Sequence, residues 1–331
     1  MTAPARRPPS LHHGRERRRP PDFFIVGQPK SGTTALYEML CQHPQIFMSD
    51  PKEPNFLAPD MRLRFQPRRA GPEILRLEDY LALFATAEPQ QLVGEASPLY
   101  ILSQSAAAEI ASLNSDARII ALFREPAAFL RSFHLQLLED HCESVSDLRR
   151  AVALEPRRSL GERIPRRSFR PQMLRYSQHV RYTDQLRRFH AVLPPEQVHV
   201  LLYDDFRGDN EGTVRGILRF LDVDDSVPIS PVHANPTVGT RSQILDDAVH
   251  RVSVGVSTPS RIAKRATKAL IPQEPRRRLL SFVQTRILHP APPPPDPIFM
   301  AELRARFRPE VERFGEYIGR DLVTLWGYED D

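Results

Sequence analysis

FFIVGQPKSGTTALYEML, residues Phe23 to Leu40, runs through a strand, a turn and a helix in immediate succession. Phe23 to Val26 is a short apolar run of the kind that an interior parallel strand carries on both faces. Gly27 and Gly32 bound a loop of Gln28, Pro29, Lys30 and Ser31, in which backbone N–H groups can turn inward around an anion. Thr33 and Thr34 open the helix. Leu36, Met39 and Leu40 recur on one of its faces, so it packs on the sheet and aims its unbonded N-terminal amides at the loop. The expected occupant is a phosphate-type anion. A triphosphatase loop, GxxxxGK[ST], needs lysine directly after the second glycine and a hydroxyl beside it for magnesium. Thr33 stands at that position. Lys30 lies two residues before Gly32, which suits a 5′-phosphate and its bridging oxygen better than a magnesium-bound triphosphate.

A second stretch, ARIIALFREPAAFLRSFHLQLL from Ala117 to Leu138, repeats the strand-to-helix plan. Ile119 to Phe123 reads as a buried strand, Arg124 stands at its carboxyl end, and Pro126 suits the first position of a helix. Ser132 follows two turns on, so an arginine and a hydroxyl can converge on one phosphate. Together these residues resemble a known family. PKSGTT after a short strand is similar to the 5′-phosphosulfate loop of the sulfotransferases, which use 3′-phosphoadenosine 5′-phosphosulfate (PAPS). Arg124, Pro126 and Ser132 resemble the 3′-phosphate motif of that family, with Phe129 where arginine is often found and Arg131 close by. The resemblance implies PAPS as donor, with no metal, held by Gln28, Pro29, Lys30, Ser31, Gly32, Thr33, Thr34, Arg124 and Ser132. SPVHANPTVGTR, Ser230 to Arg241, is similar to a later family segment and adds Arg241 as a ligand to the 3′-phosphate.

After the first helix, His43 and Pro44 form a stop, Ile46 to Met48 a short strand, and Lys52-Glu53-Pro54 the loop beyond it. Taken alone, this charged pair between Pro51 and Pro54 reads as a solvated turn. It also resembles KEPHFF of the bacterial and heparan-type sulfotransferases, whose glutamate acts as base, although Asn55 replaces the histidine and Leu57 the last aromatic. The resemblance therefore assigns Glu53 as general base and Lys30 as the group that stabilises the leaving phosphate. His134 is the alternative base. GEASPLY, Gly94 to Tyr100, resembles GEKSPxY with Ala96 in place of lysine; Ser97 can line the site, while Glu95 and Tyr100 suit structural roles equally. Tyr176 is open between packing and ligand contact.

Leu92 to Glu95 and Val198 to Tyr203 read as further strands, and residues 174–193 and 212–221 as amphipathic helices. Ile298 to Tyr328 reads as two helices separated at Pro309, with LVTLWGY similar to the family terminus. The expected fold is α/β and P-loop-like: a largely parallel central sheet covered by helices on both faces, with Gly27, Glu95 and Arg124 at its carboxyl edge. Residues 1–22 are expected to be a disordered basic tail. Residues 23–331 form a single domain with 252–297 as a lid or helical insertion.

At 331 residues, 40% hydrophobic and 26% charged, the chain has enough apolar content for one large domain. Six arginines against Glu16 and Asp22 put +4 of the +5 net charge into the first 22 residues, so the body is nearly neutral and nucleic acid is not implied. No apolar run approaches a membrane span, and Cys41 and Cys142 lack metal spacing, which together read as a cytoplasmic protein with reduced thiols. The expected reaction moves a sulfuryl group from PAPS to a hydroxyl or amine of a small-molecule or carbohydrate acceptor. Two alternatives stand beside it: a P-loop small-molecule kinase, for which Asp204 and Asp205 are the tempting magnesium ligands, and a catalytically idle nucleotide-binding interaction protein.

Overall fold

The structure, a computed structural model, describes residues 19–65, 73–232 and 294–329. Arg241, most of the 230–241 segment, residues 252–293 of the expected lid and residues 1–18 lie outside them.

Strand β1 (Phe23–Gly27) is wholly buried, as its unbroken apolar run requires. The other strands are β2 (Ile46–Met48), β3 (Leu92–Ala96), β4 (Arg118–Phe123) and β5 (Val198–Leu202). They form one sheet in the order β2-β3-β1-β4-β5, and every neighbouring pair is parallel. Each strand lies within a residue or two of its expected limits. Successive side chains alternate across the sheet, so β1 feeds two cores. Phe23 and Ile25 pack with Leu36, Met39 and Leu40 of α1 (Thr33–Leu40) and with Ile217 and Leu218 of a later helix (Asn210–Phe220). Phe24 and Val26 belong to the larger core on the other face.

The remaining helices, in chain order, are α2 (Leu77–Ala82), α3 (Ala106–Leu113), α4 (Pro126–Glu139), α5 (Leu148–Ala153), α6 (Glu155–Ser159), α7 (Tyr182–His190) and α8 (Tyr203–Gly208). Asn210–Phe220 is α9, followed by α10 (Pro297–Ile318) and α11 (Leu322–Trp326). Helices α3, α4, α7 and α10 supply Ile110, Phe129, Leu186, Phe189 and Phe314 to the larger core. From β1 the chain goes outward to β2, returns to β3, and crosses to β4 on the other side of β1. The loops after β1 and β4 therefore flank a crevice at the carboxyl edge, where open α/β sheets take ligands.

Three expectations need correction. Residues 19–22 belong to the domain and not to the tail. Asp22 donates its N–H to Val93 O at 2.7 Å, accepts from Arg118 N at 2.9 Å, and caps Val93 N with its carboxylate at 2.7 Å. Those bonds prolong the β1 pairing by one residue on both sides. The single helix expected over 174–193 is two 3₁₀ turns, Pro171–Leu174 and Tyr176–Val180, and then α7. Arg175 and Arg181 leave helical geometry, with ψ of 76° and 60°. Between them Tyr176 is drawn inward to Glu143 and His134, and this tertiary anchoring overrides the helical period. Finally, α10 runs straight through Pro309 and ends at Gly319, whose φ of 67° is a left-handed helix stop. Phe299, Leu303, Phe307, Val311 and Phe314 bury one continuous face on either side of the proline, which outweighs the lost backbone bond. Among the described residues no helix is long and apolar enough to cross a membrane.

Candidate active site

The loop between β1 and α1 is shaped by close approach to the neighbouring strand. A Cβ on Gly27 would stand 2.4 Å from the Leu122 amide nitrogen, so only glycine lets the chain pass β4. Gln28 then donates its N–H to Leu122 O at 2.7 Å. Lys30 and Gly32 take left-handed backbone, with φ of 64° and 89°, and curl the loop towards α1. The first backbone bond of α1 runs from Leu36 N–H to Gly32 O. The amides of Thr33, Thr34 and Ala35 therefore have no acceptor within the helix. Ser31 is fully buried, and its Oγ has no partner. Gln28, also buried, donates Nε2 to Gln185 Oε1 at 2.6 Å and leaves its own Oε1 unpaired. A buried hydroxyl without a partner costs about 1–3 kcal/mol, which a phosphate-bearing ligand in the loop would relieve. The residues present fit such a group.

The second motif closes on the first. Arg124, just past β4, donates Nη1 to the Lys30 carbonyl at 2.8 Å, and its guanidinium lies 4.5 Å over the Tyr203 ring. Tyr182 OH donates to the Arg124 carbonyl at 2.8 Å. Ser132 is buried on the second turn of α4, and burial first, then the nearby charge of Arg124, lowers the pKa of Arg131. Arg124 and Arg131 thus share one electrostatic neighbourhood at the start of α4, the kind of setting that suits an anion. Phe129 is in the core, stacked on Phe133, and takes no part.

Lys30 also reaches the end of α4. Its Nζ donates to Gln136 Oε1 at 2.9 Å, and burial lowers its pKa against the opposing charges of Glu139, Asp140 and Glu53. Glu53 thus shares the lysine's electrostatic neighbourhood. It is 44% exposed, pairs with Lys52 Nζ at 2.6 Å, and takes left-handed backbone with φ of 62°. Asn55, in the place of the family histidine, turns back and donates Nδ2 to the Glu53 carbonyl at 2.7 Å. Asp140 opens to solvent at the end of α4, yet the protein enclosing it pushes its carboxyl up to about 6, with Gln136 donating to it and Lys30 opposing the rise. Half-buried Arg170 holds the Met61 carbonyl at 2.9 Å and feels both Glu53 and Asp140. Gln136, Asp140, Arg170 and Tyr203 were not singled out from the sequence. One signal was available: Ser132, Gln136 and Asp140 recur every four residues, so α4 presents them as one stripe from the anion site towards Lys30.

Other expected residues lie elsewhere. His134 is buried with both ring nitrogens engaged, by Tyr176 OH at 2.9 Å and Ser146 O at 3.1 Å, so it is not placed to act as base. Tyr176 is a packing residue. Glu95, Ser97 and Tyr100 form a buried cluster beneath the Glu53 loop. Asp204 accepts from Trp326 Nε1 at 2.9 Å and Asp205 pairs with Arg320 at 3.1 Å, so both serve the C-terminal helices.

Comparison with known proteins bears on the family and the fold. Human carbohydrate sulfotransferase 15 is 43% identical over 74 residues, 21% of this chain and 12% of that protein. Mouse heparan sulfate glucosamine 3-O-sulfotransferase 5 is 30% identical over 119 residues, 36% of this chain and 31% of that protein. The matched stretch thus spans under a third of those relatives' own length. The crystal structure of a sulfotransferase from Alicyclobacillus acidocaldarius superimposes with a TM-score of 0.65 at 24% identity, covering 93% of this chain and 98% of the other, and so shares the fold. The model of the sulfotransferase family matches residues 21–226, well over half of the chain and inclusive of the Phe23–Leu40 and Ala117–Leu138 stretches, and the chain belongs to that family.

Proposed function

We propose that the protein transfers a sulfuryl group from PAPS to a hydroxyl or amine of a small-molecule or carbohydrate acceptor. The observation that carries this reading is the bond between Arg124 and the Lys30 carbonyl, which joins the two anion sites into one crevice whose Ser31 hydroxyl has no partner. Two separate phosphates on one adenosine match two anion sites at one sheet edge. The names of the curated relatives support carbohydrate hydroxyls as the first acceptors to screen.

In this reading the acceptor oxygen or nitrogen attacks sulfur as the bond from sulfur to the bridging phosphate oxygen breaks. Lys30 neutralises charge growing on that oxygen, Arg124 and Ser132 hold the unreacting 3′-phosphate, and Glu53 takes the acceptor proton. The loop amides and the arginines orient the donor so that attack is in line. Glu53→Gln should lower turnover by about a hundred- to ten-thousand-fold, the range of a positioned base, with bisphosphate affinity intact. Turnover within a few-fold of the parent would remove Glu53 from the mechanism.

Calorimetry with adenosine 3′,5′-bisphosphate and with ATP plus magnesium tests the donor, and labelled PAPS with a panel of unsulfated heparan and chondroitin oligosaccharides, phenols and amines tests the transfer. Binding of the bisphosphate and label transfer are expected. Binding of magnesium-ATP alone would establish the kinase alternative, and bisphosphate binding with no transfer to any acceptor would favour the idle protein.

A further inference from the structure

Beneath the loop that carries Glu53 lies a wholly buried carboxylate, Glu95 of β3, with no opening to the crevice. Three hydroxyls converge on it. Ser97 Oγ donates to Glu95 Oε1 at 2.5 Å, Tyr100 OH donates to Oε2 at 3.2 Å, and Tyr80 OH donates to Oε2 as well. Each of the three side chains holds the loop by another contact. Ser97 Oγ accepts the Asn55 N–H at 3.1 Å, and Tyr100 OH accepts the Leu57 N–H at 3.2 Å. The Tyr80 ring stacks on Phe56, with centroids 4.7 Å apart and planes 17° from parallel. Residues 55, 56 and 57 are therefore each tied to one carboxylate through one intervening side chain.

The direction of these bonds matters. A hydroxyl has a single hydrogen; once the ionised carboxylate draws it, as it does above the group's raised value of about 7, the oxygen lone pairs are left to face the loop amides. Without the carboxylate each hydroxyl is free to rotate and donate elsewhere. The loop itself needs holding, because Glu53 and Asn55 both take left-handed backbone, with φ of 62° and 52°, which non-glycine residues keep only when their surroundings impose it. Its other anchor is the Glu53 N–H to the Ala96 carbonyl at 3.0 Å. A buried carboxylate is costly, and an apolar side chain at this position would fill the space without that cost. Setting the loop is a task that an apolar side chain does not perform.

We infer that Glu95 is a positioning residue that fixes the Glu53 loop, and so aims the Glu53 carboxylate, through Ser97, Tyr100 and Tyr80. The inference rests on the assignment of Glu53 as base. Ser97→Ala and Tyr100→Phe each remove one hydroxyl with little change of volume, and Ser97→Thr keeps it. Each is made in the parent and in the Glu53→Gln background. Label transfer from PAPS to the fastest acceptor of the panel is measured per bisphosphate-binding site counted by calorimetry, so that unfolded protein drops out.

In the parent, Ser97→Ala and Tyr100→Phe should each lower kcat by about tenfold or more, as misplacement of a reacting group does, with the KM for PAPS nearly unchanged and Ser97→Thr close to parent. In the Glu53→Gln background the same changes should cost less than about twofold, since coupled residues are not additive. Parental kcat in both variants, or equal losses in both backgrounds, would overturn the positioning role while leaving Glu53 in place. A fully active Glu53→Gln enzyme would instead overturn the base assignment and this inference with it.

Discussion

Lys30 and Arg124 carry the same charge but, in the proposed reading, serve different parts of the donor. Lys30→Ala should lower turnover far more than it weakens bisphosphate binding, because charge on the bridging oxygen grows only as the sulfur bond breaks. Arg124→Ala should cost about 2–4 kcal/mol in bisphosphate binding, the scale of a lost charge-assisted pair. Because Arg124 also pins the Lys30 carbonyl, adenosine 5′-phosphate should bind more weakly to this variant too. Calorimetry with both nucleotides checks the pair: a variant that still prefers the 3′-phosphate would refute the role of Arg124. Glu95 makes a separate prediction. Burial raises its carboxyl from 4.5 to about 7, against the three hydroxyl bonds that favour ionisation. The folded state thus holds this proton more tightly than the unfolded state does. Its stabilising contribution is full below about pH 4.5 and is lost as pH rises towards 7, by about 3 kcal/mol. Urea unfolding of Glu95→Gln and parent at pH 5 and pH 7.5 measures it; an unchanged difference between the two pH values would show that Glu95 does not titrate in that window.

Element limits follow from local chemistry where that chemistry is strong. Gly27 and Gly32 bound the loop, Pro126 starts α4 with Glu125 accepting from the Ala127 and Ala128 amides at 3.0 and 2.6 Å, and Gly319 stops α10. Pro309 is the exception, since its helix continues through it on the strength of a buried face. Replacing it should therefore stabilise the protein. Pro309→Ala restores one backbone donor and should raise stability by about 1–3 kcal/mol, read as an upward shift of the thermal midpoint. A lower midpoint would mean that the proline ring itself packs productively. The 3₁₀ turns of 171–180 show the opposite balance. There the apolar spacing suits a helix, but the buried pair of Glu143 and Arg158, bonded at 2.6 and 2.8 Å, draws in Tyr176 and breaks the period.

At the scale of the whole molecule, the C-terminal helices close the face opposite α1 and reach back to the crevice. Phe314 of α10 packs between Phe123 and Tyr182, Trp326 bonds Asp204 beside Tyr203, and Tyr328 OH bonds Glu125, the cap of the helix that follows Arg124. The last helices are thereby coupled to the crevice beside Arg124. Trp326→Ala should destabilise by about 3–5 kcal/mol through the cavity and the orphaned Asp204. The lowered midpoint should be partly recovered by saturating bisphosphate, as ligand linkage requires. A normal midpoint would show that α11 contributes little to closure.

The strands, the glycine-bounded loop and the arginine motif were legible in the chain because each is written in neighbouring residues: an apolar run, glycines at a forced approach, a proline at a helix start. Period, turn chemistry and motif spacing are local properties, so Phe23 to Leu40 and Ala117 to Leu138 were legible before any folding. Which residues meet was settled by the packing of the folded chain. It joined Arg124 to Lys30 across 94 residues, set Gln136 and Asp140 beside the lysine, and removed His134 and Tyr176 from the crevice into a buried network. It also laid Glu95 under the Glu53 loop. The direction a side chain faces depends on which strands pair and which helices cover them, and those choices are made by burial summed over the whole chain, which no short stretch contains.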